Sequence, residues 1–148
     1  MTVRLAPALR RRGLPSVDRR LLRRRAGRVL DALGVGNREL SLSLTGDPEI
    51  AELNAEWRGR EGPTDVLSFS LDEGDHSEFG GVLLGDVVIA LGVAERQAEA
   101  YGASLDDEVA RLLIHGVLHL LGHDHQQPGE ARRMRTEERR LWRELGDA

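Results

Sequence analysis

The sequence contains no cysteine and no lysine, and it has few aromatic residues. Without cysteine there can be no disulfide, no thiolate zinc site and no cysteine nucleophile, so histidine and carboxylate are the strong metal ligands that remain. No apolar run reaches the roughly 20 residues that a membrane-spanning helix needs, and the N-terminus has no apolar stretch typical of a signal peptide. We therefore expect a cytoplasmic protein with no membrane partner.

Charge is distributed unevenly along the 148 residues. Residues 1–28 contain ten arginines and one acid, whereas residues 29–125 contain five arginines and nineteen acids. All 21 basic residues are arginine, whose planar cation suits phosphate, although the codon bias of a GC-rich genome also explains the missing lysines. The Arg-rich segment 1–28 would contact RNA phosphates or form a solvated helix face, and its role stays unassigned.

The hydrophobic pattern predicts an α+β fold, with a small sheet of about four strands packed against several helices in a single domain, 1–148. Strands are predicted at 39–45, 64–71 and 81–91, with a loop over 72–81. Helices are predicted from the cap Ser16 to Gly34, from Asp47 to Trp57, from 93 to Gly102, from Ser104 to Gly122 and from Pro128 onward. The last helix is expected to bury Met134, Leu141, Trp142 and Leu145.

Four of the five histidines lie in the segment "HGVLHLLGHDH", residues 115–125. His115 and His119 are four residues apart, so on a helix both imidazoles can point to one centre. Gly122 permits the positive φ that ends a helix, so the chain can turn back and bring His125 to the same centre. The sequence therefore predicts one metal ion per chain, zinc or another divalent metal, at the end of a central helix.

The spacing H-x-x-x-H-x-x-G-x-x-H matches the three-histidine core of the metzincin zinc peptidases, but Gly116 stands where those enzymes have their catalytic glutamate. A three-histidine site would still lower the pKa of a metal-bound water towards ~7, so hydrolysis remains chemically available. Peptidase chemistry is disfavoured. A closed structural zinc site is the alternative, and His123 or Asp124 would then be its fourth ligand.

In these residues the chain resembles the YbeY family of metal-dependent endoribonucleases, whose signature reads H-G-x-L-H-L-x-G-Y-D-H. His123 departs from the family's usual tyrosine, and every other fixed position matches. The resemblance extends through "LNAEWRGREGPTDVLSFSL", "LLGDVVIA" and "AYGASLDDEVARLLIHG", over about residues 40–125. Three blocks in order are more specific than one short motif.

The resemblance implies a single-strand-specific endoribonuclease that acts in 16S rRNA 3′-end maturation and late-stage ribosome quality control. Its partners would be single-stranded rRNA and the small ribosomal subunit with its proteins, and no DNA is expected. The family has a small mixed sheet packed with helices. His115, His119 and His125 take the family's zinc-ligand positions, and Arg58 takes the position of an arginine important for activity.

Three further residues are candidates for the surroundings of this site. Asp65 would cap a turn or orient Arg58. Asp124 would either accept a hydrogen bond that fixes an imidazole tautomer or simply be a turn residue. His123 is expected to point away from the metal, at the rim of the pocket, because the helix should stop at Gly122.

Two other functions remain open: a ribosome-assembly factor that binds RNA or protein and carries a structural zinc, and a metallopeptidase-like amide hydrolase. A metal with an open coordination position and an arginine could stabilise the charge that gathers on a phosphodiester in its transition state, which favours the nuclease. The five aromatic residues, several of them expected in the core, make a multi-base stacking platform unfavourable.

Overall fold

The computed structural model describes residues 2–5, 14–70, 83–124 and 126–146. In chain order these ranges form β1 (Thr2–Leu5), α1 (Arg19–Ala32), β2 (Glu39–Thr45), α2 (Asp47–Arg58), β3 (Val66–Ser70), β4 (Leu83–Ala90), α3 (Leu91–Tyr101), α4 (Leu105–Leu120) and α5 (Pro128–Glu144). The predicted α+β class is confirmed. The predicted loop over 72–81 falls outside the described residues.

The strands form one four-stranded mixed sheet in the order β1-β2-β4-β3. β1 and β4 both pair in parallel with β2, while β3 pairs antiparallel with β4. The sequence pattern did not predict β1, because its four residues are defined by their pairing with β2 rather than by a local signal. The three predicted strands are present, and their ends differ from the prediction by no more than two residues.

The helix ends follow local capping chemistry. Ser104 accepts a hydrogen bond from the Asp107 backbone N–H at 3.1 Å, so the predicted start of α4 is confirmed. The predicted start of α1 at Ser16 is wrong, because the Asp18 carboxylate caps this helix instead, at 3.1 Å from the Leu21 N–H.

α4 is the central helix of the fold. It contacts β3 and β4 on the sheet and packs beside α1, α3 and α5. Leu112, Leu113, Val117 and Leu118 are fully or almost fully buried, in one core cluster with Leu40 and its neighbours on the sheet. A second, smaller cluster joins Ile50 of α2 to sheet residues such as Leu67 and Val88. Packing on several sides holds α4 firmly, so side chains at its C-terminal end are well positioned.

Trp142 departs from the expected core of α5. Met134, Leu141 and Leu145 are buried as predicted, but Trp142 is 42% exposed. Trp57 and Tyr101 are also exposed, and no aromatic residue in the described ranges is fully buried. The expectation that several aromatics belong to the core is therefore wrong for this part of the chain. No helix among the described residues is both long enough and apolar enough to span a bilayer.

Candidate metal centre

His115 and His119 lie on successive turns of α4, and their rings converge. The two Nε2 atoms are 3.1 Å apart, and the ring planes meet at 73°. Two imidazole nitrogens bound to a tetrahedral zinc ion at about 2.0–2.1 Å each lie about 3.3–3.4 Å apart. The pair therefore already has nearly the spacing that one metal ion requires.

The turn after α4 has the geometry that the sequence predicts. Gly122 has a φ of 93°, and the helix ends at Leu120. The His123 N–H bonds to the Leu118 carbonyl at 3.0 Å and the Gly122 N–H bonds to the His119 carbonyl at 3.0 Å, which is the Schellman pattern. His125, the expected third ligand, lies outside the described residues. Within them, no three metal-binding side chains come together, and two of the three predicted ligands do.

Glu138 of α5 orients the first histidine. Its Oε1 lies 3.4 Å from Nδ1 of His115, on the ring edge opposite Nε2. The hydrogen bond from His115 lowers the pKa of Glu138, against the opposing effect of burial. A proton held on Nδ1 leaves the lone pair of Nε2 for a metal, the arrangement common among metal-binding histidines.

Gly116 faces the sheet at close range. A Cβ added there would lie 2.8 Å from Cγ1 of Val87 and 3.1 Å from Oγ of Ser68. The Ser68 hydroxyl donates to the Gly116 carbonyl at 2.8 Å, which fixes the helix on β3. A glutamate at this position has no room. Close packing of the helix on the sheet therefore explains why this position holds glycine and not the glutamate of the zinc peptidases.

The two histidines open onto a cavity of about 780 Å³, here called the histidine cavity. Arg58, the last residue of α2, lines the same cavity, whereas the two histidines belong to α4. Its Nη2 donates to the Ser68 carbonyl at 2.6 Å, and its guanidinium carbon lies 4.8 Å from the centre of the Phe69 ring. These contacts hold a cation at the cavity that His115 and His119 also line.

Asp65 also lines the histidine cavity, but as a turn residue. Its carboxylate accepts from the Val66 N–H at 2.8 Å and from Gln97 at 3.3 Å. These contacts fit its expected role as a turn cap, and its role in orienting Arg58 stays a prediction.

His123 and Asp124 lie around a different hollow. They line a space of about 230 Å³ together with Glu130 and Arg133. His123 does not line the histidine cavity. His123 was expected at the rim of the pocket, and that its side chain points away from a bound metal stays a prediction.

The sequence reasoning missed three residues near the site. Glu138 lies 23 residues beyond His115, and nothing in the local pattern signals that contact. Asn54 is 5% exposed and donates to the Gly62 carbonyl at 3.0 Å, so it braces the loop that follows α2. Arg60 lines the cavity as a second cation, and its place beside Arg58 in "WRGREG" was the available signal.

Comparison with known proteins points to one family. The family model of "Endoribonuclease YbeY" matches residues 16–146. A relative named Endoribonuclease YbeY from Aquifex aeolicus (strain VF5) is 54% identical over 103 residues, which make up 69% of this chain and 66% of the relative. The relative of that name from Anaeromyxobacter sp. (strain Fw109-5) is 48% identical over 146 residues, or 99% of this chain and 73% of the relative.

A solved structure supports the fold. The solution structure of TM1509 from Thermotoga maritima aligns with a TM-score of 0.64 at 23% identity, over 97% of this chain and 89% of that one. The chain spans just under two thirds of the length of the Aquifex relative and 43% of the relative from Myxococcus xanthus (strain DK1622). The family match over nearly all of the sequence confirms the resemblance found in its motifs: the chain belongs to the YbeY endoribonuclease family.

Proposed function

We propose that this protein is a zinc-dependent endoribonuclease that cuts single-stranded rRNA. In this proposal it acts in the cytoplasm, in 16S rRNA 3′-end maturation and ribosome quality control, with the small ribosomal subunit as its partner. The observation that carries the proposal is the pair of Nε2 atoms of His115 and His119, 3.1 Å apart on the wall of a cavity that Arg58 also lines. The names of the relatives supply the reaction class.

His115, His119 and His125 are the proposed zinc ligands, one ion per chain. Glu138 would hold the proton on Nδ1 of His115, so that Nε2 stays available as a ligand. A zinc ion held by these residues would supply a Lewis acid and would lower the pKa of a water that it binds.

Arg58 is the proposed phosphate-binding residue. The Ser68 carbonyl and the Phe69 ring fix the plane of its guanidinium at the cavity. A fixed guanidinium can donate to two oxygens of one phosphate, and it stabilises the negative charge that grows there in the transition state. Arg60 adds a second positive charge at the same cavity.

The two alternative functions fit this geometry less well. A structural zinc needs four protein ligands, but the histidine pair faces a cavity large enough for a nucleotide rather than a closed shell. An amide hydrolase of the metzincin type needs its glutamate next to the first histidine. At that position, Gly116, even a Cβ would lie within 3.1 Å of both Val87 and Ser68. Phosphate chemistry uses the arginines of the cavity, and peptide hydrolysis gives them no role.

The test is cleavage of a labelled single-stranded RNA by the purified protein, beside the same sequence as a perfect duplex. We expect the single strand to be cut, the duplex to be spared, and a chelator to stop the reaction until zinc is restored. Cleavage that continues at the same rate in metal-free protein would reject the zinc-dependent function. Binding of RNA without any cleavage under metal-loaded conditions would favour the assembly factor.

A further inference from the structure

A second hollow lies between α4 and α5, apart from the histidine cavity. It has a volume of about 630 Å³, within the range of known small-molecule sites. We call it the tryptophan hollow. It is lined by four arginines, one acid and two apolar residues: Arg111, Arg135, Arg139, Arg143, Glu138, Ile114 and Trp142.

The aromatic rings at this surface are unusually accessible. Trp142 is 42% exposed, and Tyr101 of α3 is 73% exposed beside an adjoining space of about 350 Å³. Arg111 and Trp142 line both spaces. An indole left partly in water keeps apolar surface available for a flat partner.

Arg111 is held rigidly between the two spaces. The Glu108 carboxylate, which is 3% exposed, accepts from its Nε at 2.9 Å and from its Nη2 at 2.6 Å. The guanidinium carbon lies 5.9 Å from the centre of the Tyr101 ring. The hollow therefore has one wall whose cation is fixed before any ligand arrives.

The other three arginines form a row on one face of α5. Arg135, Arg139 and Arg143 are spaced four residues apart, so they stand above one another along the helix. In the part of the chain that the structure describes, no carboxylate pairs with any of them, whereas the neighbouring Arg140 bonds to Glu137 at 2.6 Å. Unpaired positive charge beside an exposed ring favours an anion that also carries a flat apolar group.

Glu138 connects this surface to the histidine cavity. It lines the tryptophan hollow and also contacts His115, which lines the histidine cavity. Trp142 lies one helical turn further along α5, roughly 6 Å by the rise of the helix. The two cavities are therefore neighbours, joined through the contact between His115 and Glu138.

We propose that the tryptophan hollow is a binding site for a nucleotide of single-stranded RNA, with the base stacked on Trp142 and the backbone phosphates on Arg139 and Arg143. This inference rests on the proposed function, because it places the same RNA strand at both sites. One exposed ring beside the row of cations would stack a single base, which agrees with the expectation that the chain has no multi-base stacking platform. An acidic peptide would satisfy the arginines and leave the indole without a partner.

The first experiment uses Trp142 as its own reporter. The chain has two tryptophans, so in a Trp57→Phe variant all of the tryptophan fluorescence comes from Trp142. A short single-stranded oligoribonucleotide, checked for intactness on a gel, is expected to quench that fluorescence at low salt. If poly-glutamate changes the emission and the RNA does not, the surface binds an acidic protein and the proposal is wrong.

The second experiment measures RNA affinity by the anisotropy of a labelled strand. Trp142→Ala should weaken binding about tenfold, within the range for one stacked base, and Trp142→Phe should weaken it much less. Arg139→Ala should reduce the slope of log affinity against log salt by about 0.7, as expected for one lost phosphate contact. Arg132→Ala is the matched control, because Arg132 is exposed on the same helix but does not line the hollow. The Arg132→Ala variant should keep the salt slope of the parent more closely than Arg139→Ala does. It should also lose less RNA affinity than Arg139→Ala.

Cleavage kinetics separate this site from the proposed function itself. Trp142→Ala should raise KM and leave kcat near the parent value, because the ring binds the strand away from the reacting phosphate. If the parent, Trp142→Ala and Trp142→Phe bind RNA with equal affinity, the tryptophan hollow is not an RNA site. Cleavage by the parent would in that case still support the proposed function. Absence of cleavage by the parent would count against the proposed function, and the fluorescence and affinity measurements would still decide the site.

Discussion

Gly116→Ala tests the explanation for the missing acid of the histidine motif. The new Cβ would lie 2.8 Å from Cγ1 of Val87, 3.1 Å from Oγ of Ser68 and 3.3 Å from Cγ2 of Val66. Val87 is completely buried and β-branched in the inner strand β4, so it cannot rotate its methyl group aside. The helix would have to move away from the sheet.

The size of the effect follows from two opposing contributions. Overpacking a core by a methyl group lowers the free energy of unfolding by about 1–3 kcal/mol. Replacing a helical glycine by alanine raises it by about 1 kcal/mol. Because the closest contact is with an immobile side chain, we expect the upper half of the first range and a net loss of about 1–2 kcal/mol. Gly116→Glu should cost more, since it also buries a carboxylate, and it should create no peptidase.

Urea unfolding measures this directly as a shift of the midpoint at constant m-value. Gly129→Ala is the control, because a Cβ at this helical position meets nothing within 4 Å. The control should be unchanged or stabilised by up to about 1 kcal/mol. If Gly116→Ala is as stable as the parent or more stable, the close packing of α4 on the sheet is not what excludes a larger residue.

Three further substitutions address the site. Arg58→Ala should lower kcat for single-stranded RNA about 10²-fold, with zinc content and melting temperature unchanged; a parallel loss of zinc or of thermal stability would show a structural role instead. Gly122→Val forces a β-branched residue to a φ of 93°, which costs about 1–3 kcal/mol, so zinc affinity measured by competition should fall tenfold or more, and an unchanged affinity would argue against the turn. His123→Tyr should keep zinc and most activity with at most a shifted pH–rate profile, whereas a variant that lost zinc would identify His123 as a ligand.

Local chemistry made much of the fold predictable from sequence. The Ser104 cap and the positive φ of Gly122 define both ends of α4, and both are encoded within a few residues. The four-residue spacing of His115 and His119 then places the two rings together. The start of α1 was misplaced because Ser16 and Asp18 are both good caps, and only the fold selects between them.

Contacts between distant segments could not be predicted in this way. β1 depends on its pairing with β2, more than thirty residues later, and Glu138 meets His115 only because α5 folds back along α4. The exposure of Trp142 was missed for a related reason. A hydrophobic period identifies an apolar stripe on α5, but it does not show how far the neighbouring helix covers that stripe.

The most direct test of the account is the zinc content of the purified chain, measured by elemental analysis beside variants of the histidines. We predict one zinc per chain in the parent and in His123→Ala, and none in a variant with His115, His119 and His125 all changed to alanine. Circular dichroism of the triple variant would establish that the helices are retained. Zinc at the parental level in a folded triple variant would contradict the three-histidine site and, with it, the proposed chemistry.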